Sequence, residues 1–310
     1  MRRADELTRE PMYDDILVPT DGSDHARRAA EHVGVLARQF GATVHLLGVV
    51  DVQAAAGPFG AGGVDDAFVD RLESTTHRWL DAAAQAVGDA PTERDTVEGE
   101  PGAAILSYAS DLEPDLVAMG THGRTGVRRY VAGSVTERVV QRADVPVLVV
   151  HAGDPILESA YDDVLVATDG SEAAEAAVDH GIELATRTGA RVHAVSLVDL
   201  GRVGTGAEDA PVLEWRNYLE SEADRATGSV VDRAEDAGVE AVAAVREGSP
   251  VRGLLAYADE ADVDLLVVGT HGRRGVTDAV LGSTAERILR RAERPVLTVR
   301  PSDPPVGGVD

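Results

Sequence analysis

Tyr13–Asp51 reads YDDILVPTDGSDHARRAAEHVGVLARQFGATVHLLGVVD, and Tyr161–Asp199 reads YDDVLVATDGSEAAEAAVDHGIELATRTGARVHAVSLVD. The two stretches align without a gap at a constant shift of 148 positions, Tyr13 onto Tyr161 and Asp51 onto Asp199. Farther along, Glu98–Val150 aligns with Glu247–Val299 at a shift of 149, which sets DLVAMGTHGRTG against DLLVVGTHGRRG. One residue is inserted in the variable middle. Self-similarity at this spacing marks a duplication, and a unit of this size is a domain. The junction falls near His151–Ala160, where Gly153 and Pro155 interrupt regular structure. The chain divides into domains 1–152 and 153–310.

Each copy alternates short apolar runs with amphipathic stretches. Ile16–Pro19 follows acidic residues and predicts a buried strand. Asp21-Gly22-Ser23 turns the chain, and Ser23 is placed to cap an amphipathic helix running to Phe40. Val44–Val50 predicts a second strand and Gly57–Gly63 a loop. A helix over Asp66–Val87 leads to a strand over Thr92–Glu98. Pro101 suits the first turn of a helix ending near Asp111. Asp115–Gly120 then predicts a strand, Ser134–Arg142 a helix and Val145–Val150 the last strand. This alternation predicts an α/β fold, two repeated, doubly wound domains, each with a parallel five-stranded sheet. The last strands, Val145–Val150 and Arg294–Val299, would form sheet edges that need covering.

Composition removes many chemistries. Of 310 residues, 54 are acidic and 29 basic, for a net charge of −25; every base is arginine, and cysteine is absent. Without lysine there is no Walker A loop, Schiff-base enzyme or kinase-type ATP anchor. Without cysteine there is no disulfide frame, thiolate metal site or cysteine nucleophile. The charge opposes binding to nucleic acid or anionic lipid, because repulsion replaces counterion release. Acidic excess with arginine alone reads as adaptation to concentrated salt, a halophilic signature. No apolar run approaches the ~20 residues of a membrane span, and Met1–Glu10 is charged. A soluble, cytoplasmic chain is the expectation.

Ligands of open α/β sheets bind beyond the carboxyl ends of strands, where strand order reverses. Two strand ends here carry polar or glycine residues. Pro19-Thr20-Asp21-Gly22 repeats as Ala167-Thr168-Asp169-Gly170, and Gly120-Thr121-His122-Gly123 repeats as Gly269-Thr270-His271-Gly272. Nine residues separate Gly123 and Gly272 from Gly133-Ser134 and Gly282-Ser283, each opening a helix. Glycines let backbone N–H groups approach phosphate oxygens, and a helix N-terminus adds partial positive charge. The loop between Gly120 and Ser134 also carries Arg124, Arg128 and Arg129 with no acid. Arg273 and Arg274 lie in the second loop beside Asp278. Local basicity on an acidic chain points to an anionic ligand.

These residues carry a resemblance. The spacing G-x2-G-x9-G-S after a strand, with the PTDGS first turn, resembles the universal stress protein family and specifically its ATP-binding subgroup, in tandem form. The resemblance covers Tyr13–Val150 and Tyr161–Val299 and implies a Rossmann-like fold akin to the adenine nucleotide alpha hydrolases. It implies that Asp21 and Asp169 contact the ribose or adenosine side. Pro19, Thr20 and Val49, and Ala167, Thr168 and Leu197, would line the adenine pockets, with Met119 and Val268 near the nucleoside. Gly120, Gly123, Arg124, Gly133, Ser134, Val135 and Thr136 would hold phosphates in the first copy. Gly269, Gly272, Arg273, Gly282, Ser283, Thr284 and Ala285 would do so in the second. A divalent cation, Mg2+ or Mn2+, would ride on the phosphates rather than on protein ligands. The last strands pair across a dimer in this family, so here they would pair within one chain as a pseudo-twofold unit. A further homodimer and a protein partner are compatible with that arrangement.

Thr136 against Ala285, and Pro19 against Ala167, predict tighter binding in the first copy. His122 and His271 read as structural residues of a glycine loop, and no residue is assigned to catalysis. His45 and His193 read as sheet-surface or partly buried, while the pairs Asp14-Asp15 and Asp162-Asp163 read as solvated starts of strands rather than a metal site. The functional expectation is an ATP-binding stress sensor or switch, not a fast enzyme. The alternatives are a slow ATP hydrolase or nucleotidyl-transfer enzyme, or a nucleotide-free scaffold. Against the transferases, the place of their S-G-G-x-D-S loop is taken by PTDGSD.

Overall fold

Buried apolar residues alternate between two directions along the central strands, and that alternation builds a three-layer molecule. A computed structural model describes residues 12–56, 65–121, 133–155, 160–200, 212–270 and 281–301. The first repeat contributes β1 (Asp15–Thr20), α1 (Asp24–Phe40), β2 (Thr43–Val50), α2 (Val52–Ala56), α3 (Asp66–Val87), β3 (Thr92–Glu98), α4 (Pro101–Leu112), β4 (Leu116–Gly120), α5 (Ser134–Arg142) and β5 (Val147–Val150). The second contributes β6 (Asp163–Ala167), α6 (Glu172–Thr188), β7 (Arg191–Val198), α7 (Val212–Asp236), β8 (Ala241–Glu247), α8 (Pro250–Glu260), β9 (Leu265–Gly269), α9 (Ser283–Arg291) and β10 (Val296–Val299). The sequence reading misses only the short exposed α2 among the first repeat's described elements. The glycine-rich segment read as a loop, 57–63, lies outside the described residues.

Ile16 and Val18 of β1 pack with Leu116 and Ala118 of β4 under α1, α3, α6 and α7. Leu17, Val117 and Met119 point the other way, into a second cluster with Ile105 of α4, Val139 of α5, Leu254 of α8 and Ile288 of α9. A strand buried on both faces reads as a continuous apolar run, as β1 and β4 do.

The ten strands form one sheet in the order β3-β2-β1-β4-β5-β10-β9-β6-β7-β8. Within each repeat the paired strands are parallel. The single antiparallel junction is β5 against β10, with Val147, Leu148 and Val149 opposite Thr298, Leu297 and Val296. The two five-stranded sheets are thus halves of one ten-stranded sheet, joined by the pairing of last strands within the chain that the family resemblance implied, so that neither last strand is left as an edge. Thr298 stands where the first repeat has Val149, and its buried hydroxyl donates to Val147 O at 3.1 Å.

Helices reinforce the junction on both faces. On one, Tyr13 OH lies 2.7 Å from His180 Nδ1 of α6, and the Arg187 guanidinium sits 5.7 Å from the Phe40 ring centroid of α1. On the other, Arg290 of α9 reaches Glu137 of α5 at 3.6 Å.

Candidate functional site

The strand order turns at β1, which has β2 on one side and β4 on the other; β6 likewise lies between β7 and β9. The crevice beyond the carboxyl ends of β1 and β4, and of β6 and β9, is therefore where a ligand would dock.

Three side chains in succession fold the turn after β1. Thr20 Oγ1 accepts the Gly22 N–H at 3.3 Å, Asp21 Oδ1 accepts the Ser23 N–H at 3.1 Å, and Ser23 Oγ accepts the Ala26 N–H at 3.2 Å. Thr168, Asp169 and Ser171 repeat the arrangement at 3.1, 3.0 and 3.4 Å. Ser23 and Ser171 are thus the N-caps of α1 and α6, and each aspartate uses one oxygen to shape an Asx turn. Gly22 and Gly170 have φ of +74° and +72°, a conformation that costs other residues energy. Gly22 is held for a second reason, since a Cβ there would lie 2.2 Å from Trp79 Cδ1. Trp79 of α3 covers this turn, a contact that sequence reasoning missed; the chain's other tryptophan, Trp215, is exposed on α7.

Beside that turn, β4 ends at Gly120. A Cβ on Gly120 would stand 2.5 Å from the His25 carbonyl carbon and 2.8 Å from Ala26 N; one on Gly269 would stand 2.5 Å from Ala173 O. These glycines bring each strand against the first turn of α1 or α6, a packing requirement in addition to any ligand contact. Thr121 and Thr270 follow, both buried. Their carbonyls accept the N–H of Gly133 at 2.6 Å and of Gly282 at 2.7 Å, which fixes where α5 and α9 begin. Neither helix has a side-chain cap on its N-terminus, and Ser134 and Ser283 are exposed at the first position. Uncapped first-turn N–H groups and the helix dipole suit an anion.

The remaining residues of the expected site sort by depth. Pro19, Thr20, Met119, Thr168, Val268 and Ala285 are buried; Val49, Val135, Ala167, Leu197 and Thr284 are half-buried. Leu197 packs toward α8, where a Cβ on Gly253 would meet its Cδ1 at 2.3 Å. Thr136 is buried, and its hydroxyl donates to Gly120 O at 2.7 Å. Its replacement by Ala285 therefore removes a tie between α9 and β9. Gly123, Arg124, Gly272 and Arg273, together with His122 and His271, lie outside the described residues.

At the opposite end of the sheet the acidic pairs have structural work. Asp115 accepts the Asp14 and Asp15 N–H groups at 2.7 and 2.9 Å, and Asp264 accepts those of Asp162 and Asp163 at 2.9 Å each. The carboxylates of Asp15 and Asp163 bond His45 Nε2 and His193 Nε2 at 2.6 and 2.7 Å. Both histidines are buried, deeper than the sheet-surface or partly buried positions read from alternation. Among the described residues no group of three or more His, Cys, Asp or Glu side chains could hold a metal ion. No helix among them is long and apolar enough to cross a membrane.

The fold is that of a duplicated, doubly wound α/β protein with a switch point of strand order in each half. The chain belongs to the universal stress protein family, whose model matches residues 12–151 and 160–300. A universal stress protein of Mycolicibacterium smegmatis is 30% identical over 271 residues, covering 83% of this chain and 86% of the relative. One from Methanocaldococcus jannaschii is 36% identical over 143 residues, 46% of this chain and 84% of its own length. Among solved structures, a universal stress protein from Archaeoglobus fulgidus superposes with a TM-score of 0.66 at 24% identity, covering 93% of this chain and 98% of that one. That likeness shows the fold.

Proposed function

We propose that this tandem universal stress protein binds ATP in one or both repeats and acts as a stress-response sensor or switch, with no rapid turnover. One observation carries the reading: in each repeat an Asp-bearing turn stands at the switch point beside a helix N-terminus with no side-chain cap. The turn offers hydrogen-bonding groups to a nucleoside, and the helix end offers N–H groups to phosphates. A Mg2+ or Mn2+ ion would be carried by the phosphates. ATP on these groups would order the phosphate side of each repeat and bias a surface seen by a protein partner, as γ-phosphate contacts do in switch proteins. The same reading places the chain in a salt-rich cytoplasm, where its net charge of −25 is screened.

Mass spectrometry of nucleotide retained through purification, followed by calorimetric titration at high salt, tests the reading. Asp21→Ala and Asp169→Ala should each weaken one site, with the first repeat the tighter. Absence of both retained nucleotide and titratable affinity would leave a scaffold. Phosphate release at about 1 s⁻¹ or faster, an ordinary enzyme rate, would make it an ATP hydrolase.

A further inference from the structure

His25 separates the two repeats at the candidate site, because Ala173 takes the equivalent position in the second. Its Nδ1 accepts the Ala152 N–H at 3.0 Å and lies 2.9 Å from Thr121 Oγ1. A nitrogen that accepts a backbone N–H carries no proton, so the Thr121 hydroxyl donates to it as well. One imidazole nitrogen thereby ties together the first turn of α1, the carboxyl end of β4 and the linker that leaves β5.

The linker is held a second time. Two turns along α1, on the same face, His32 Nε2 lies 3.0 Å from Pro155 O and donates to it. Between these anchors Asp154 is buried and accepts the His151 N–H at 2.7 Å, closing a turn. Residues 151–155 therefore form a strap along α1. Among the described residues the second repeat shows no counterpart: Ala173 lacks an acceptor, and His180, the equivalent of His32, bonds Tyr13 instead.

Thr121 connects the strap to the site. Its carbonyl fixes the Gly133 N–H at the start of α5, and its own N–H is held by Val150 O at 3.0 Å. The residue gripped by His25 is thus the one that positions the uncapped helix end.

We propose that His25 couples nucleotide binding in the first repeat to the linker segment 151–155. His25 is a positioning residue, and the inference rests on the ATP-binding reading above. A phosphate held at the first turn of α5 restrains Gly133 and Thr121, keeps the Thr121 hydroxyl in line with Nδ1, and favours the strapped linker. Such coupling is reciprocal: the factor by which ATP stabilises the strap is the factor by which the strap tightens ATP.

The test measures hydrogen exchange of the Ala152 amide with and without ATP, alongside calorimetry, in the full chain. His25→Ala removes the acceptor, whereas His25→Asn keeps an oxygen near the position of Nδ1. First-repeat affinity is read in an Asp169→Ala background and second-repeat affinity in Asp21→Ala. ATP should raise Ala152 protection about fivefold or more, the lower end of ordinary coupling. His25→Ala should abolish that rise and lose the same factor in first-repeat affinity; His25→Asn should restore both, and second-repeat affinity should not move. The coupling alone is overturned if wild type binds ATP without a change at Ala152. It is likewise overturned if His25→Ala binds as tightly as wild type, or if folded His25→Asn behaves like His25→Ala. A wild-type chain that binds no ATP in either repeat overturns the functional reading and the coupling with it.

Discussion

Leu148 of β5 lies directly opposite Leu297 of β10, and each is the other's equivalent in the duplicated sequence. The pseudo-twofold axis of the molecule therefore passes through this pair. Both side chains are buried, with Tyr13, Tyr161, Leu36 and Leu184 around them. A duplicated domain whose last strand would be an exposed edge has used its own copy to cover that edge.

Leu148→Ala and Leu297→Ala should each destabilise the whole chain by about 2–5 kcal/mol, the usual cost of such a truncation in a core. The two losses should match, because the pseudo-symmetry gives them the same surroundings. The double variant should cost less than their sum, since the second truncation enlarges a cavity already present. Urea unfolding of the four proteins checks this; a loss confined to one leucine would place the axis elsewhere.

Acid should weaken the junction through His180. Burial, opposed by the nearby Asp179 charge, pushes the His180 pKa down to about 4 from an ordinary 6.5. Below about pH 6.5 the unfolded chain takes up a proton that the folded chain refuses, so stability falls as pH falls toward 4. The loss is on the order of 3 kcal/mol once pH reaches the folded value. His180→Gln cannot titrate and should lose less stability between pH 7 and pH 4.5. Equal acid losses in the two proteins, measured by urea unfolding, would remove His180 from the account.

Trp79 should report occupancy of the first repeat. It touches the Gly22 turn, whereas Trp215 stands on α7 with 43% of its surface exposed. In a Trp215→Phe chain, ATP should shift tryptophan emission to shorter wavelength as the ligand covers the indole. Asp21→Ala should abolish the shift and Asp169→Ala should leave it intact. A shift that follows Asp169 instead would assign the signal to the wrong repeat.

Gly120→Ala and Gly269→Ala should each cost about 1–3 kcal/mol, the penalty of forcing an atom into a filled space. In both cases the added methyl meets backbone, at His25 or Ala173, which cannot swing aside. Nucleotide affinity should fall in the same repeat, because the strand end and the helix start are displaced together. Gly153→Ala is the control: no atom beyond its chain neighbours lies within 4 Å of the new methyl, so stability should stay within about 0.5 kcal/mol. Calorimetry and thermal unfolding measure both effects.

Much of this protein is written locally. The bounds of α3, β3 and α5 follow from period, cap and breaker residues, and Ser23 as N-cap of α1 follows from its place before the amphipathic run. Such features depend on neighbours within a few residues, which a linear reading sees. The site was half legible for the same reason. Its turn residues and glycines stand out because they occur twice, but the strand–helix contact that makes Gly120 and Gly269 necessary does not.

By itself, the sequence determined that the chain is a duplicated α/β unit, where its elements lie and which strand ends could meet an anion. Only the tertiary structure decided the register at which the last strands join ten strands into one sheet, with Leu148 opposite Leu297. It also decided that Trp79 covers the first turn, that His45 and His193 are buried against aspartates, and that His25 straps the linker to the site. Each of these joins residues far apart in the chain, and such pairings are selected by the packing of whole layers, which no local pattern records.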